Sequence, residues 1–200
     1  AQKIDIINMS ETPAEIDFSR VPPHLDVRVS SNPLGPNQKG HISVVFDASK
    51  KNDWGYVNDQ FFLEINNKTD GKNRIFVSAT IREDFSKLTP EERANAPVAN
   101  FEPQRYEFGT IQQGEIIEFE YKLTNKGKRD LLIRKIRASC GCTAIKPAKE
   151  KIAPGETISI KTTFNSKGRH GRQNKSITVI TNDPKRPKTI LWLKGEVNRN

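Results

Sequence analysis

The chain has 200 residues, 34% hydrophobic and 28% charged, a length that fits one large domain or two of about 100 residues. No apolar run approaches the ~20 residues of a membrane-spanning helix. The sequence also lacks the positively charged start and following apolar stretch that would indicate a signal peptide. The net charge of +9 comes from the second part: residues 1–90 carry 11 Lys and Arg against 12 Asp and Glu, and residues 91–200 carry 22 against 12.

The two parts of the sequence repeat each other. The stretch LGPNQKGHISVVFDAS (34–49) aligns without gaps on IAPGETISIKTTFNSK (152–167), and residues 54–81 align on 170–197 after a two-residue difference in the loop between. Upstream, IDIINMSETPAEI resembles YKLTNKGKRDLLI, which matches Asn8 with Asn125. The chain is therefore predicted to contain one module twice.

The module has the two-residue period of β-strands. In GEIIEFEYKLTN the apolar residues Ile117, Phe119, Tyr121 and Leu123 alternate with polar ones, and HISVVF and ETISIKTTF alternate in the same way. Turn residues separate these runs at short spacing, with about seven strands per ~100 residues, which is typical of an immunoglobulin-like sandwich. The predicted fold is all-β, with two tandem immunoglobulin-like β-sandwiches at residues 1–83 and 98–200.

The first copy lacks an opening strand that the second copy has. The second begins with FEPQRYEFGTIQQGEII, whereas the first starts at about Lys3 with the equivalent of the later strand at 117–123. A sandwich without its first strand exposes backbone donors and acceptors on an edge. We expect Ala1 to be a boundary inside a longer protein.

Residues 84–97 are predicted to form a linker with a short helix at about 90–95. Thr89, Pro90 and Glu92 form a capping box with proline at the first helical position. Phe85 and Leu88 are expected to dock the linker on one sandwich. The acidic residues of the first turn are better explained as favourable charges at a helix N-terminus than as a catalytic pair.

Enzymatic motifs are missing from the sequence. It contains no G-x-S-x-G, no H-E-x-x-H, no phosphate-binding glycine loop and no dinucleotide-binding fingerprint. The three histidines are scattered, and the few aromatic residues do not alternate with the basic segments as in a platform for single-stranded nucleic acid. The chain is predicted not to be an enzyme and to need no cofactor.

Cys140 and Cys142, in IRASCGCTAIKP, are the two cysteines of the chain. Residues two apart on a strand lie roughly 6.6 Å apart at ~3.3 Å per residue, so a disulfide between them is borderline and needs a kink. Three interpretations stay open: two reduced, partly buried thiols; a redox pair; or a soft-metal site for copper or zinc with His170 as a third ligand. In the first copy, Pro22-Pro23-His24 is expected in place of the cysteine motif and Trp54 in place of His170, so the fold does not need them.

The basic excess predicts a binding surface on the second domain. Its members are Lys128, Arg129, Arg134, Lys135, Arg137, Arg169, Arg172, Lys185 and Arg186. The positive electrostatic field of such a surface favours anionic partners. The alternative interpretation is an ordinary solvated basic surface without a partner.

The second module resembles a bacterial domain-of-unknown-function family, number 1573. The resemblance rests on SCGCT, IAPGE, FNSKGRHGRQNKSITVITNDP and LKGEV; it covers residues 101–197 and, as a degenerate copy, 3–81. It implies immunoglobulin-like domains related to the Hydin-type domains of cilia, frequent in Bacteroides-type bacteria, and an exported protein of the periplasm or cell envelope, in some members a lipoprotein. It supplies no catalytic residues.

The sequence therefore predicts a non-catalytic envelope interaction or scaffold module. Its partner would be a protein or an anionic envelope polymer, bound through the basic second domain. The alternative is thiol-redox or metal chemistry at Cys140 and Cys142. Nucleic-acid binding rests on charge alone and conflicts with an exported location.

Overall fold

The chain folds into an all-β structure, which confirms the predicted fold class. The computed structural model describes residues 1–139, 142–144, 147 and 149–199. The chain divides into two compact units, residues 1–82 and 83–200, and the predicted linker is part of the second. Neither helix in the described ranges has the length and apolar character needed to cross a membrane.

The first unit consists of two three-stranded sheets and one turn of helix. The first sheet has the order β1-β4-β3 and the second the order β2-β5-β6. The elements are β1 (Gln2–Ile7), β2 (Ile16–Ser19), β3 (Leu25–Val29), β4 (Lys39–Phe46), α1 (Ala48–Lys51), β5 (Gly55–Ile65) and β6 (Lys68–Ile81).

The core of the first unit contains residues from both sheets. Its buried residues are Leu25, Ile42, Val44 and Phe61. Ile42 and Val44 are two apart on β4, so the predicted alternation brings both to the same side of the strand. Apolar burial between two sheets is the main favourable contribution to a fold of this kind.

The second unit has a five-stranded sheet and a four-stranded sheet among its described residues. The orders are β12-β10-β14-β15-β8 and β11-β13-β9-β7. The elements are α2 (Pro90–Ala94), β7 (Ala99–Glu102), β8 (Arg105–Gln112), β9 (Ile116–Asn125), β10 (Leu131–Ala138), β11 (Cys142–Ala144), β12 (Lys151–Ile152), β13 (Thr157–Asn165), β14 (Gly171–Thr181) and β15 (Lys188–Asn198).

The core of the second unit lies between its sheets. Tyr121 on β9 and Leu191 on β15 both belong to it and are 0% exposed. The Tyr121 hydroxyl donates a hydrogen bond to the Trp192 carbonyl oxygen at 2.8 Å and so links the sheets directly. The alternating apolar residues of β9 therefore face the core, as their spacing predicts.

Matched asparagines stabilise the same corner in each unit. The Asn125 amide donates to the carbonyl oxygens of Arg129 and Ile152, at 2.8 and 3.0 Å. The Asn8 amide donates to the carbonyl oxygens of Thr12 and Leu34, at 2.8 and 2.9 Å. These asparagines bond backbone carbonyl groups of which one in each unit is buried, a structural reason for their presence in both copies.

The linker, which includes Phe85 and Leu88, belongs to the second unit. The capping box is formed, with Glu92 N–H donating to the Thr89 hydroxyl at 3.2 Å and the Glu92 carboxylate accepting from Thr89 N–H at 3.0 Å. A Cβ on Gly127 would meet Pro97 Cα and Val98 N at 2.6 Å. Glycine at this position therefore permits the close approach of the linker.

Candidate functional site

Cys142 lies at the start of β11, directly opposite Phe164 on β13. Its thiol is free, half-buried, and packs against the buried cluster that contains Phe164 and Leu193. Cys140, the other half of the predicted redox or metal pair, lies outside the described residues.

Two features of the surroundings of Cys142 shift the pKa of its thiol in opposite directions. Burial raises the pKa of Cys142 above its ordinary value, and the positive charges of Lys175 and Arg169 offset only part of the rise. Among the described residues, the buried Nε atom of Arg169 has no hydrogen-bond partner. The thiol is therefore poorly ionised, although two cations lie close enough to favour the thiolate.

His170, the predicted third metal ligand, is exposed in the loop before β14. Its Nε2 atom lies 3.1 Å from a guanidinium nitrogen of Arg199. The neighbouring Arg169 acts on Cys142, and Cys142 pairs with Phe164 near the end of β13, so this loop and the start of β11 lie at the same end of the unit. Within the described residues no group of three or more His, Cys, Asp or Glu side chains is placed to hold a metal ion.

The predicted match between the cysteine motif and Pro22-Pro23-His24 is shifted by one position. Phe46 and Phe164 are matched residues of the repeat, and they pair with Leu25 and Cys142 respectively. The counterpart of Cys142 is therefore Leu25 rather than His24. His24 lies one residue before β3, 7% exposed, with its Nε2 atom 2.9 Å from an Asp59 carboxylate oxygen.

The predicted basic residues do not form one surface. Arg169 and Arg172 lie at the start of β14, about 33 Å from its end at ~3.3 Å per residue. Lys128, Arg129, Lys185 and Arg186 lie in the turns at that other end, and Arg134, Lys135 and Arg137 lie within β10. The charge is thus spread over both ends and one face of the five-stranded sheet.

Two of these arginines pair with acidic residues in the linker or directly before it. The Arg134 guanidinium binds the Glu83 carboxylate through two hydrogen bonds, at 3.1 and 2.9 Å. Arg129 lies 3.7 Å from a Glu92 carboxylate oxygen. These two side chains fasten the linker and contribute little to a field that attracts other molecules.

A cleft of about 670 Å³ lies at the end of the second unit that contains Lys128 and Arg129, between the linker and the neighbouring turns. It is lined by residues that include Leu88, Pro97, Pro154 and Pro184, and by charges of both signs. Because four acidic residues, Glu83, Asp84, Glu92 and Asp130, line it against two basic ones, Lys128 and Arg129, the cleft has no strong preference for an anion.

The outer surface of the five-stranded sheet carries several basic side chains on neighbouring strands. Residues directly opposite each other on neighbouring strands point to the same face. Cross-strand rows therefore join Arg137 with Thr178 and Ile190, Lys135 with Ile180 and Lys188, Ser176 with Trp192 and Arg105, Asn174 with Lys194 and Glu107, and Arg172 with Glu196.

We call this surface the basic face and define it by Arg105, Lys135, Arg137, Arg172, Lys188, Ile190, Trp192 and Lys194. The Lys194 ammonium lies 5.7 Å from the centre of the Trp192 ring, a cation–π contact. Three of its residues belong to the predicted surface. The others were missed, although the alternation of Lys188, Ile190, Trp192 and Lys194 in the sequence places them on one side of a strand.

Comparisons with known proteins agree with this architecture. Residues 99–197 match the model of a family described as "Protein of unknown function (DUF1573)". Among solved structures, the chain is similar to a protein of unknown function from Porphyromonas gingivalis W83, at 18% identity and a TM-score of 0.63, covering 97% of this chain and 90% of that one.

A second similar structure is the ASH / PapD-like domain of human CEP192, at 12% identity and a TM-score of 0.41, covering 61% of this chain and 98% of that one. No curated protein matches the chain in sequence. The predicted resemblance is confirmed for the second unit: residues 99–197 belong to the DUF1573 family of proteins of unknown function.

Proposed function

We propose that the chain is a non-catalytic interaction module of the bacterial cell envelope, which binds an anionic polymer through the basic face. Each unit would be an immunoglobulin-like sandwich, with the second specialised for binding. The carrying observation is the set of cross-strand rows that brings Arg105, Arg137, Lys188 and Lys194 to one sheet surface around Trp192.

The composition of this face fits an extended polyanion. Six basic side chains share the rows with two acidic ones, Glu107 and Glu196. Cations spaced along strands attract a linear anion, and the half-buried indole of Trp192 can add apolar contact with sugar rings or acyl groups. The exported location is inferred from the resemblance to envelope proteins and is part of the proposal.

Binding to heparin, as a model anionic glycan, tests the proposal, with uncharged dextran as a reference. We expect heparin to bind the full chain and its affinity to fall steeply with salt, because counterions compete for the same cations. The variant Arg137→Glu with Lys188→Glu should bind at least about tenfold more weakly, which corresponds to ~1.4 kcal/mol.

The matched control is Lys122→Glu with Lys167→Glu, which changes the net charge equally. Lys122 is exposed on β9 of the four-stranded sheet, and Lys167 is exposed in the loop after β13. Equal loss of affinity in both double variants would mean that only net charge matters and would refute a role for the basic face. Binding that is insensitive to salt would refute the electrostatic mechanism.

A second candidate function is thiol or soft-metal chemistry at Cys140 and Cys142, with His170 at the same end of the unit. The observation that favours it is the pair of cations, Lys175 and Arg169, that act on Cys142. Positive charges near a thiol stabilise the thiolate, which is the nucleophile and the metal ligand. The burial of Cys142 opposes it.

Thiol titration and metal analysis of the purified chain test this second function, with Cys140→Ser and Cys142→Ser as controls. A redox pair would yield two thiols only after reduction, and a metal site would release about one metal ion per chain. Two thiols that are titrated only in denaturant, without bound metal, would refute this second function.

A further inference from the structure

A half-buried lysine lies on the inner face of the five-stranded sheet of the second unit. Lys175 stands opposite Leu193 in the ladder between β14 and β15, and Leu193 is 1% exposed. Residues opposite each other on neighbouring strands point to the same face, so the Lys175 side chain points between the two sheets. A cation in such a place is costly to bury unless an anionic group pairs with it.

The matched place in the first unit holds a carboxylate. Lys175 aligns on Asp59 in the repeat, and each is the fifth residue of its strand. Both pair with an apolar residue of the next strand that packs into the core. The Asp59 carboxylate lies 2.6 Å from Lys51 Nζ and 2.9 Å from His24 Nε2. In the first unit, a carboxylate at this place is therefore held by a cation from the segment that follows β4.

The loop after β13 supplies a cation at the corresponding place in the second unit. Lys51 is five residues after Phe46, and Arg169 is five residues after the matched Phe164. The Arg169 side chain is half-buried, and its Nε atom is buried without a hydrogen-bond partner among the described residues. The second unit thus keeps the loop cation but has a lysine where the first unit has the carboxylate.

Arg169 and Lys175 lie close to the same thiol. The positive charges of both reach Cys142, whose place in the ladder is that of Leu25, the residue after His24. In the part of the chain that the structure describes, neither cation forms an ion pair with a carboxylate. Burial raises the pKa of the thiol, so the thiol itself contributes little negative charge.

A buried hydroxyl lies on the facing sheet. Thr162 is 2% exposed and two residues before Phe164 on β13, so both side chains are on the same face of that sheet. Its Oγ1 atom has no hydrogen-bond partner within the described residues, and the aligned residue of the first unit is the apolar Val44. The second unit thus has a hydroxyl that can donate a hydrogen bond where the first unit has a methyl group.

We propose that Arg169 and Lys175 form a binding site for a small oxyanion, a carboxylate or phosphate group from outside the chain. The oxyanion takes the place that the Asp59 carboxylate occupies in the first unit, with the guanidinium and the ammonium as charge-assisted donors. This site lies between the sheets, whereas the basic face lies on the outer surface of the five-stranded sheet. The second unit therefore has an anion site that is separate from its polymer-binding surface.

Alkylation of Cys142 by iodoacetamide, in a Cys140→Ser chain, tests the site with sodium phosphate and sodium acetate as probes. A bound oxyanion offsets the charges that favour the thiolate. The alkylation rate at a fixed alkaline pH should therefore fall at least about threefold and reach a plateau as the probe concentration rises. Sodium chloride at the same ionic strength should change the rate less than about twofold. The probe that acts at the lower concentration identifies the preferred group.

Substitutions at one position connect this effect to the proposed site. Lys175→Met should raise the probe concentration for half the effect at least about tenfold. Lys167→Met makes the same charge change at an exposed position of the loop and should leave that concentration unchanged. Lys175→Asp gives Arg169 a carboxylate, as in the first unit, and should abolish the effect. Urea denaturation followed by Trp192 fluorescence, in a Trp54→Phe background, reports that each variant folds.

Other outcomes would overturn the proposal. An equal effect of chloride would show that the salt only screens the charges around Cys142. An unchanged half-effect concentration in Lys175→Met would place the oxyanion elsewhere, and loss of the effect in Arg137→Glu with Lys188→Glu would assign it to the basic face. A full effect in Lys175→Asp would contradict the match with the carboxylate of the first unit.

Discussion

Leu25 and Cys142 occupy the same ladder position in the two units, opposite Phe46 and Phe164. Leu25 is 7% exposed, and Cys142 is half-buried against the cluster of Phe164 and Leu193. The position is thus an apolar packing site in one unit and holds a thiol in the other.

The stability of Cys142 variants should depend on whether the new side chain is apolar. Cys142→Val is expected to change the unfolding free energy of the second unit by less than about 1 kcal/mol, whereas Cys142→Ser should lower it by about 1–2 kcal/mol, because it partly buries a hydroxyl. Urea denaturation followed by Trp192 fluorescence, in a Trp54→Phe background, measures the difference. Equal losses in both variants would show that the thiol makes a specific bond rather than a packing contact.

The reactivity of Cys142 should begin only at alkaline pH. Its pKa is raised by burial, so alkylation by iodoacetamide in a Cys140→Ser chain should rise with pH at a midpoint above that of an ordinary cysteine. Lys175→Met should move the midpoint higher still, because it removes a charge that favours the thiolate. Lys167→Met, in an exposed loop, is the control, and an unchanged midpoint in Lys175→Met would contradict the assigned electrostatics.

Loss of the corner asparagine should destabilise the second unit strongly. Asn125 is 0% exposed and also accepts hydrogen bonds from Gly127 N–H and Val98 N–H, at 3.0 and 3.3 Å. Asn125→Ala leaves buried backbone groups unpaired and should cost about 2–3 kcal/mol in urea denaturation. The exposed Asn174→Ala should cost less than ~0.5 kcal/mol. A small cost for Asn125→Ala would mean that water replaces the amide.

The first unit should lose stability in acid through Asp59. Its carboxylate accepts from Lys51 at 2.6 Å and lies 2.9 Å from His24 Nε2. Burial alone would raise the pKa of Asp59, but the hydrogen bonds from Lys51 and His24 outweigh it and hold the pKa below its ordinary value.

Because the pKa of Asp59 is lower in the folded state, its stabilising contribution is present above the unfolded pKa and disappears as the pH falls through the folded pKa. Asp59→Asn should therefore weaken the first unit at pH 7, and the difference from the unchanged chain should shrink towards pH 3. Urea denaturation at both pH values, read from Trp54 in a Trp192→Phe background, gives the comparison. A difference that stays constant with pH would show that the loss comes from packing.

The strands could be predicted because the pattern of each strand occurs in both copies of the repeat. Alignment of 34–49 on 152–167 agrees with the ladder, in which β4 and β13 begin at Lys39 and Thr157. The two-residue loop difference corresponds to the segment with α1, which follows β4. The capping box around Thr89 depends on adjacent residues alone and could be predicted in full.

The candidate site could be predicted only in part. The match of Cys142 was wrong by one position because Pro22-Pro23-His24 and the cysteine motif share no residue type that sets the alignment. The basic face depends on which strands become neighbours, and the parallel pairing of β8 with β15 joins residues some 90 apart in sequence. Local patterns contain no information about that pairing.

The parallel pairing of β8 with β15 also determines how the second unit would respond to tension. A pull applied to the start of β8 at Arg105 and to the end of β15 at Asn198 draws these two strands in opposite directions along their length. The ladder hydrogen bonds between them then share the load in shear rather than breaking one after another. Under such a load, this strand pair would be the mechanical clamp of the second unit.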